Sequence, residues 1–297
     1  MDRIIFGDNQ FFGVNHMSEE KGMQTMRRFQ ENSAIIEVLD TAYDLGIRAF
    51  TFSTHDRVAQ LCDHFRAHPE RYADLRLYPA IPYAHKYANA VAEKGILGAI
   101  MDVVFTDNTA GAAVGMIARG GSMLMNKDAI ELMKLLVDAE LKMFRGLRVE
   151  VVFLQNVVTD LLLGLGWKEM FSSYAAHIRD RHGAQAGFIT LNMPRLVDLL
   201  HEAGIENPVV CSAINKAGFQ MSPNLAAYEE TLRNKPVRAL AMSVLAAGAL
   251  RPADAIEYVG QFDRIESVIF GASSRSHIEQ TKKLIDQCWE RRACACG

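Results

Sequence analysis

The last quarter of the chain places two short apolar strands in succession, each running into a loop of small residues. Arg238–Ser243 leads into Val244–Gly248, and Glu266–Phe270 leads into Gly271–Arg275. The second loop opens a helix expected over Ser276–Gln287. A strand that feeds a Gly/Ala/Ser loop into a helix N-terminus turns backbone N–H groups and the helix dipole towards an anion. Two such units ending a chain of this length predict the phosphate-binding corner of a (β/α)8 TIM barrel, an α/β fold.

The upstream pattern agrees. Ile4–Phe6, Ile47–Phe52, Leu75–Ile81, Leu147–Leu154, Ala186–Thr190 and Pro208–Ser212 read as six more strands, separated by helical periodicity. Ser33 is expected to cap a helix carrying Ile35, Leu39, Ala42 and Tyr43 on one face, with Gly46 stopping it. A helix led by Pro194 ends at Gly204, and another spans Lys127–Phe144. An open doubly wound sheet would carry an early G-x-G-x-x-G turn, and this chain has none. Residues 1–297 therefore form one barrel domain. A long insertion after the third strand, 87–126, is either a lid over the mouth or an extra packed helix with a disordered tip, and 288–297 reads as a flexible tail.

Of the 297 residues, 49% are hydrophobic and 23% charged, enough for a large core. The formal net charge of −3 argues against nucleic acid. No apolar run is long enough to cross a membrane, and the amino-terminal residues do not read as a signal peptide. A cytoplasmic protein with a small-molecule substrate is expected; self-association into a homo-oligomer is left open. Cys294 and Cys296 lack zinc-site spacing, and five scattered cysteines suit a reducing compartment.

Barrel chemistry sits at the carboxyl ends of the strands. Those positions hold Asp8, Asn9 and His16 after the first strand, and Ser53, Thr54, His55 and Asp56 after the second. Tyr83, His85 and Lys86 follow the third, and Gln155 and Asn156 the fourth. Thr190 and Asn192, then Ser212, Asn215 and Lys216, follow the fifth and sixth. His55–Asp56 is the sharpest pair, because a neutral histidine moves protons near physiological pH; Asp56 or Thr54 is equally suited to cap the following helix. His55, Asp56, Lys86 and Gln155 are the catalytic candidates, and Asp8, Asn9, His16, Tyr83 and Asn156 the substrate-contacting ones. Without an H-x-H spacing among the strand-end histidines, no metal site is expected. The histidines at 64, 68, 177, 182 and 201 read as surface or packing residues.

Taken together, several segments resemble the aldo-keto reductase superfamily. Phe6–Gly13, Met17–Glu20 and Leu39–Ile47 look like its opening strand and first helix. Gly187–Asn192, Leu196–Gly204 and Pro208–Val210 look like its fifth and sixth strands, and Met242–Leu250 and Val268–Ser274 like its last two. The resemblance implies NADP(H)-dependent carbonyl reduction by an Asp, Tyr, Lys and His tetrad. The tetrad does not carry over: Thr51 stands at the aspartate, Asp56 at the tyrosine, Ala80–Pro82 at the lysine and Gln155 or Asn156 at the histidine. Of the cofactor-binding positions, it implies Thr190, Asn192, Ser212, Ser243, Gly271, Ser273, Ser274 and Arg275, with Asn215 where an aromatic stacks on the nicotinamide. Three readings stay open: an NADP(H)-dependent oxidoreductase with non-standard catalytic residues; an isomerase, aldolase or lyase acting on a phosphorylated small molecule; and a non-catalytic cofactor- or ligand-binding barrel.

Overall fold

A computed structural model describes residues 1–12, 27–82 and 126–295. The insertion expected over 87–126 lies outside the described residues apart from its last position, Asn126, which begins a helix. The described strands are β1 (Ile4–Phe6), β2 (Ala49–Phe50), β3 (Arg76–Leu77), β4 (Ala80–Ile81), β5 (Val151–Leu154), β6 (Gln185–Thr190), β7 (Val209–Ala213), β8 (Arg238–Met242) and β9 (Ile265–Phe270). All pair in parallel, in the order β3-β2-β1-β9-β8-β7-β6-β5-β4.

The two ends of that order are two halves of one run, Arg76–Ile81. Arg76, Tyr78 and Ala80 donate their backbone N–H groups to Arg48, Phe50 and Phe52, while the carbonyls of Leu77, Pro79 and Ile81 accept from Glu150, Phe153 and Gln155. The run is bonded on both sides, so the sheet closes. Pro79 has no N–H to give, which breaks the ladder into two short segments without opening it. Counted this way the barrel has the eight strands read from the sequence.

The strands separate two apolar layers. Ile5, Ala49, Tyr78, Val151, Phe153, Val209, Cys211 and Leu240 fill the barrel interior. The larger cluster lies between the strands and the helices outside. Gly187 shares the inward face with Ile189, and a Cβ there would lie 2.4 Å from the Phe153 ring and 2.8 Å from Val151 Cγ1. The missing side chain makes room for Phe153.

Nine α-helices are described: α1 (Asn32–Asp44), α2 (Asp56–Ala67), α3 (Asn126–Leu141), α4 (Asn156–Leu165), α5 (Lys168–His182), α6 (Met193–Glu202), α7 (Leu225–Asn234), α8 (Pro252–Val259) and α9 (Arg275–Ala295). On α1 the buried residues Ile35, Val38, Leu39, Ala42 and Tyr43 follow helical spacing. Glu31, not Ser33, is its N-cap residue, with no side-chain cap. Gly46 follows at φ +91°, a left-handed conformation open to glycine at little cost. Gly204 likewise follows α6 at φ +81°.

The tail expected from residue 288 is instead helical. α9 runs 21 residues to Ala295 and buries Ile278, Thr281, Ile285 and Cys288 along one face. Cys288 packs so closely on Gly260 that a Cβ on that glycine would meet its sulfur at 2.2 Å. Among the described residues no helix is long and apolar enough to cross a membrane.

Gly187→Ala is expected to destabilise the fold by about 1–3 kcal/mol, because ring and isopropyl groups in a packed interior must shift. Urea unfolding measures it; an unchanged midpoint would show that the interior is not packed at this level.

Candidate functional site

The carboxyl rim begins with Asp8, just past β1. Its carboxylate is buried and accepts from Ser53 N at 2.8 Å and Ser53 Oγ at 3.0 Å, which ties the loops after β1 and β2 together. Burial pushes the carboxyl up to about 6; the two Ser53 bonds work against that rise. Asn9 is exposed in the short 3-10 turn Asn9–Phe11.

His55 sits at the N-cap of α2. Its Nδ1 accepts from Arg57 N at 3.2 Å, and its ring stacks on Phe12 with centroids 4.4 Å apart. Burial lowers its pKa, with the Asp56 charge opposing. At neutral pH the ring is therefore neutral, and an accepting Nδ1 leaves the proton on Nε2. The cap is thus the histidine, not Asp56 or Thr54. Asp56 is exposed in the first turn of α2, where its charge complements the helix dipole. Thr54 is buried and donates its hydroxyl to the buried carboxylate of Glu140 on α3. Thr51 donates to the Tyr78 carbonyl at 2.7 Å, bridging strands.

Gln155 and Asn156 form the N-terminal end of α4, both half-buried; Gln155 reaches the Ala80 carbonyl at 3.4 Å. His16, Tyr83, His85 and Lys86 lie outside the described residues.

The far side of the rim is a hydrogen-bonded cluster of its own. Thr190 Oγ1 donates to Asp160 and accepts from Asn192 N at 2.8 Å. Ser212 Oγ donates to the Thr190 carbonyl at 2.7 Å and lies 3.0 Å from the Tyr228 hydroxyl. Asp160 also accepts from Leu191 N, and burial raises its pKa against the pull of both bonds. Thr190 and Ser212 are buried, with both hydroxyls bonded inside this cluster. Asn215 is also buried: its amide donates to the Phe219 carbonyl and accepts from Phe219 N, both at 2.9 Å, folding its own loop rather than facing a ligand. Lys216 is exposed. Asn192 caps α6 through Arg195 N and borders, with Asp160, Leu191, Arg195 and Ser222, a groove of about 580 Å³.

The corner after β8 and β9 keeps its shape. Ser243, Ala246 and Ala247 all have positive φ, at 52°, 46° and 55°. Gly271 lies against the Gln10 side chain, whose Oε1 would be 2.0 Å from a Cβ there; Gln10 is in turn held by Gly7 O at 2.7 Å. Ser274 opens α9, its hydroxyl 3.4 Å from His277 N. Arg28 grips this loop, donating to Ser273 O at 2.7 Å and Ser273 Oγ at 3.2 Å. Arg275 is exposed beside it. The loops after β1, β2 and β9 are thus linked through Asp8–Ser53, Gln10–Gly271 and Arg28–Ser273, and Thr190, Asn192 and Ser212 belong to a separate network.

Sequence reasoning missed Arg28, Glu140 and Asp160. Arg28 and Glu140 act far along the chain from their partners, and Asp160 reads as an ordinary helix carboxylate.

Asp8 binds its proton more tightly folded than unfolded, so the stability it contributes is full in acid and is lost as pH rises from about 4 to about 6. Asp8→Asn should therefore gain on the parent by roughly 3 kcal/mol between those limits and neutral pH, read by urea unfolding across pH. A gap constant with pH would put that carboxyl in water.

No family model matches the chain, and no curated protein matches it by sequence. Solved structures do. A putative aldo-keto reductase from Pseudomonas aeruginosa superposes with TM-score 0.60 at 15% identity, covering 97% of this chain and 91% of that one. A putative 2,5-diketo-D-gluconic acid reductase B gives TM-score 0.54 at 11% identity, over 95% and 82%. An aldo-keto reductase of the silkworm, Bombyx mori, gives 0.51 at 9%, over 95% and 78%. The chain has the barrel fold of the aldo-keto reductases.

Proposed function

We propose that this protein is an NADP(H)-dependent oxidoreductase of the aldo-keto reductase type whose proton-handling groups are not that family's tetrad. The observation that carries the reading is the cationic corner at β9: a small-residue loop, the N-terminus of a 21-residue helix, Arg28 on Ser273 and Arg275 adjacent. Backbone donors, a positive dipole end and two guanidinium groups suit the phosphates of a dinucleotide. Gly271, Ser273, Ser274 and Arg275 would hold them, with Ser243 across the neighbouring loop. The ring end fits less well, because Ser212 and Asn215 are committed to protein partners; Asn192 remains at the groove wall. A bound nicotinamide dinucleotide would supply the hydride.

The chain's own residues address the proton. Asp56, exposed where the family has a tyrosine, lacks the phenol that donates to a developing alkoxide. Asp8 is different: burial raises its pKa to about 6, and a general acid works best near the working pH. Neutral His55, its ring stacked on Phe12, is a further polar group on the same rim. Gln155 and Asn156 provide amides on the same rim. The substrate class is a small carbonyl compound or the corresponding alcohol.

Fluorescence titration with NADPH is expected to show binding that Arg28→Ala and Arg275→Ala each weaken about tenfold or more, the usual worth of a charged hydrogen bond. Turnover over a carbonyl panel should be lost in Asp8→Asn with NADPH affinity kept. Absence of NADPH binding with retained binding of sugar phosphates would replace this reading with the phosphorylated-substrate one.

A further inference from the structure

On the outer helical layer, α3 packs against α5. Asp138 on α3 and His177 and His182 on α5 meet there. His177 Nε2 lies 2.8 Å and His182 Nε2 2.7 Å from the same oxygen, Asp138 Oδ1. The three ligand atoms lie within 4.8 Å of one another. The imidazole planes are inclined at 77°, so the rings approach one point from different directions.

We propose that Asp138, His177 and His182 bind a late first-row divalent cation, Zn2+ foremost, which fastens α3 to α5. Two imidazole nitrogens and one carboxylate oxygen are a zinc-type ligand set, and the ion takes a water as fourth ligand. The side chains are 34%, 13% and 22% exposed, in that order, which leaves an open side for that water. Bonds of about 2.0–2.2 Å place tetrahedral ligand atoms roughly 3.4 Å apart. Each nitrogen–oxygen distance therefore opens by about half an ångström, within reach of side-chain adjustment. The metal takes the lone pair of each Nε2, so both neutral rings carry their proton on Nδ1 when it is bound.

The backbone beneath is fixed. Tyr174 on α5 donates to the Val152 carbonyl at 3.0 Å, and its neighbour Ile178 is buried. Val137, beside Asp138, is buried in the same layer. His182 is the last residue of α5, before Gly183 at φ +65°. That break in the helix lets two histidines five residues apart, about 140° round a regular turn, reach one carboxylate.

The test uses the full chain carrying Cys294→Ser and Cys296→Ser, which removes the thiolates nearest the terminus. Zn2+ titrated against a chromogenic chelator should bind at one equivalent, and the thermal midpoint should rise by several degrees with excess metal. His177→Ala and His182→Ala should each cost at least tenfold in affinity. Asp138→Asn keeps an oxygen acceptor for the imidazoles and should fold without metal yet lose the midpoint rise. Co2+ in place of Zn2+ should show visible ligand-field bands with no thiolate charge-transfer band. The proposal is overturned if no equivalent binds, if affinity is unchanged in the two histidine variants, or if Asp138→Asn responds to Zn2+ as the parent does.

Discussion

Every rim residue owes its position to one hydrogen-bonded seam, the run Arg76–Ile81. Its even-numbered residues donate to the strand before it and its odd-numbered carbonyls accept from the strand after it. A parallel sheet left open there would expose two rows of buried backbone groups to nothing, at a cost of a kcal/mol or more for each. Closure satisfies them and sets the stagger of all the other strands. Pro79 is the weak point, since it cannot donate. The carbonyls of Leu77, Pro79 and Ile81 keep the ladder continuous in one direction.

Given that frame, environment rather than residue type decides what a rim carboxylate can do. Asp8, Asp56, Asp160 and Glu140 all lie at or near the same end of the barrel. Asp56 faces solvent at a helix start and Asp160 holds Thr190 and the Leu191 amide in place. Asp8 is buried beside a serine, where burial raises its pKa to about 6. The same logic divides the rim. Hydroxyls and amides after β6 and β7 are consumed by Asp160, Tyr228 and the Phe219 backbone, and so stiffen that side. The loops after β1, β2 and β9 hold one another through Ser53, Gln10 and Arg28.

The strands were legible because a buried parallel strand is an apolar, β-branched run ended by a small or polar residue. All eight fall within a few residues of where the sequence puts them. Gly46 and Gly204 marked helix ends for the same local reason. Other features depend on contacts that no window of sequence contains. Asn215 looks like a free amide until its loop folds back on Phe219. Ser273 looks like a bare loop hydroxyl until a guanidinium 245 residues away bonds it. α9 continues past Gln287 because Cys288 finds Gly260, and that pairing is tertiary. The histidines at 177 and 182 miss the four-residue spacing that marks a shared helix face, so they read as surface residues until Asp138 arrives from another helix.

The loop after β8 adds a physical argument of its own. Ser243, Ala246 and Ala247 occupy left-handed backbone, which costs an L residue roughly 1–2 kcal/mol each. Glycine would remove that cost, and Gly248, at φ +92°, shows that the chain uses it one residue later. A loop needed only to connect a strand to a helix would relax or carry more glycine. Strain of this kind persists where the surrounding structure over-determines the backbone, and it concentrates at ligand-binding corners. Here it is held between β8 and the helix α8, on the strand adjoining the loop that Arg28 grips. Two independent features, a strained turn and a clamped helix start, thus meet at one corner of the barrel. That coincidence supports ligand binding there more strongly than either feature alone.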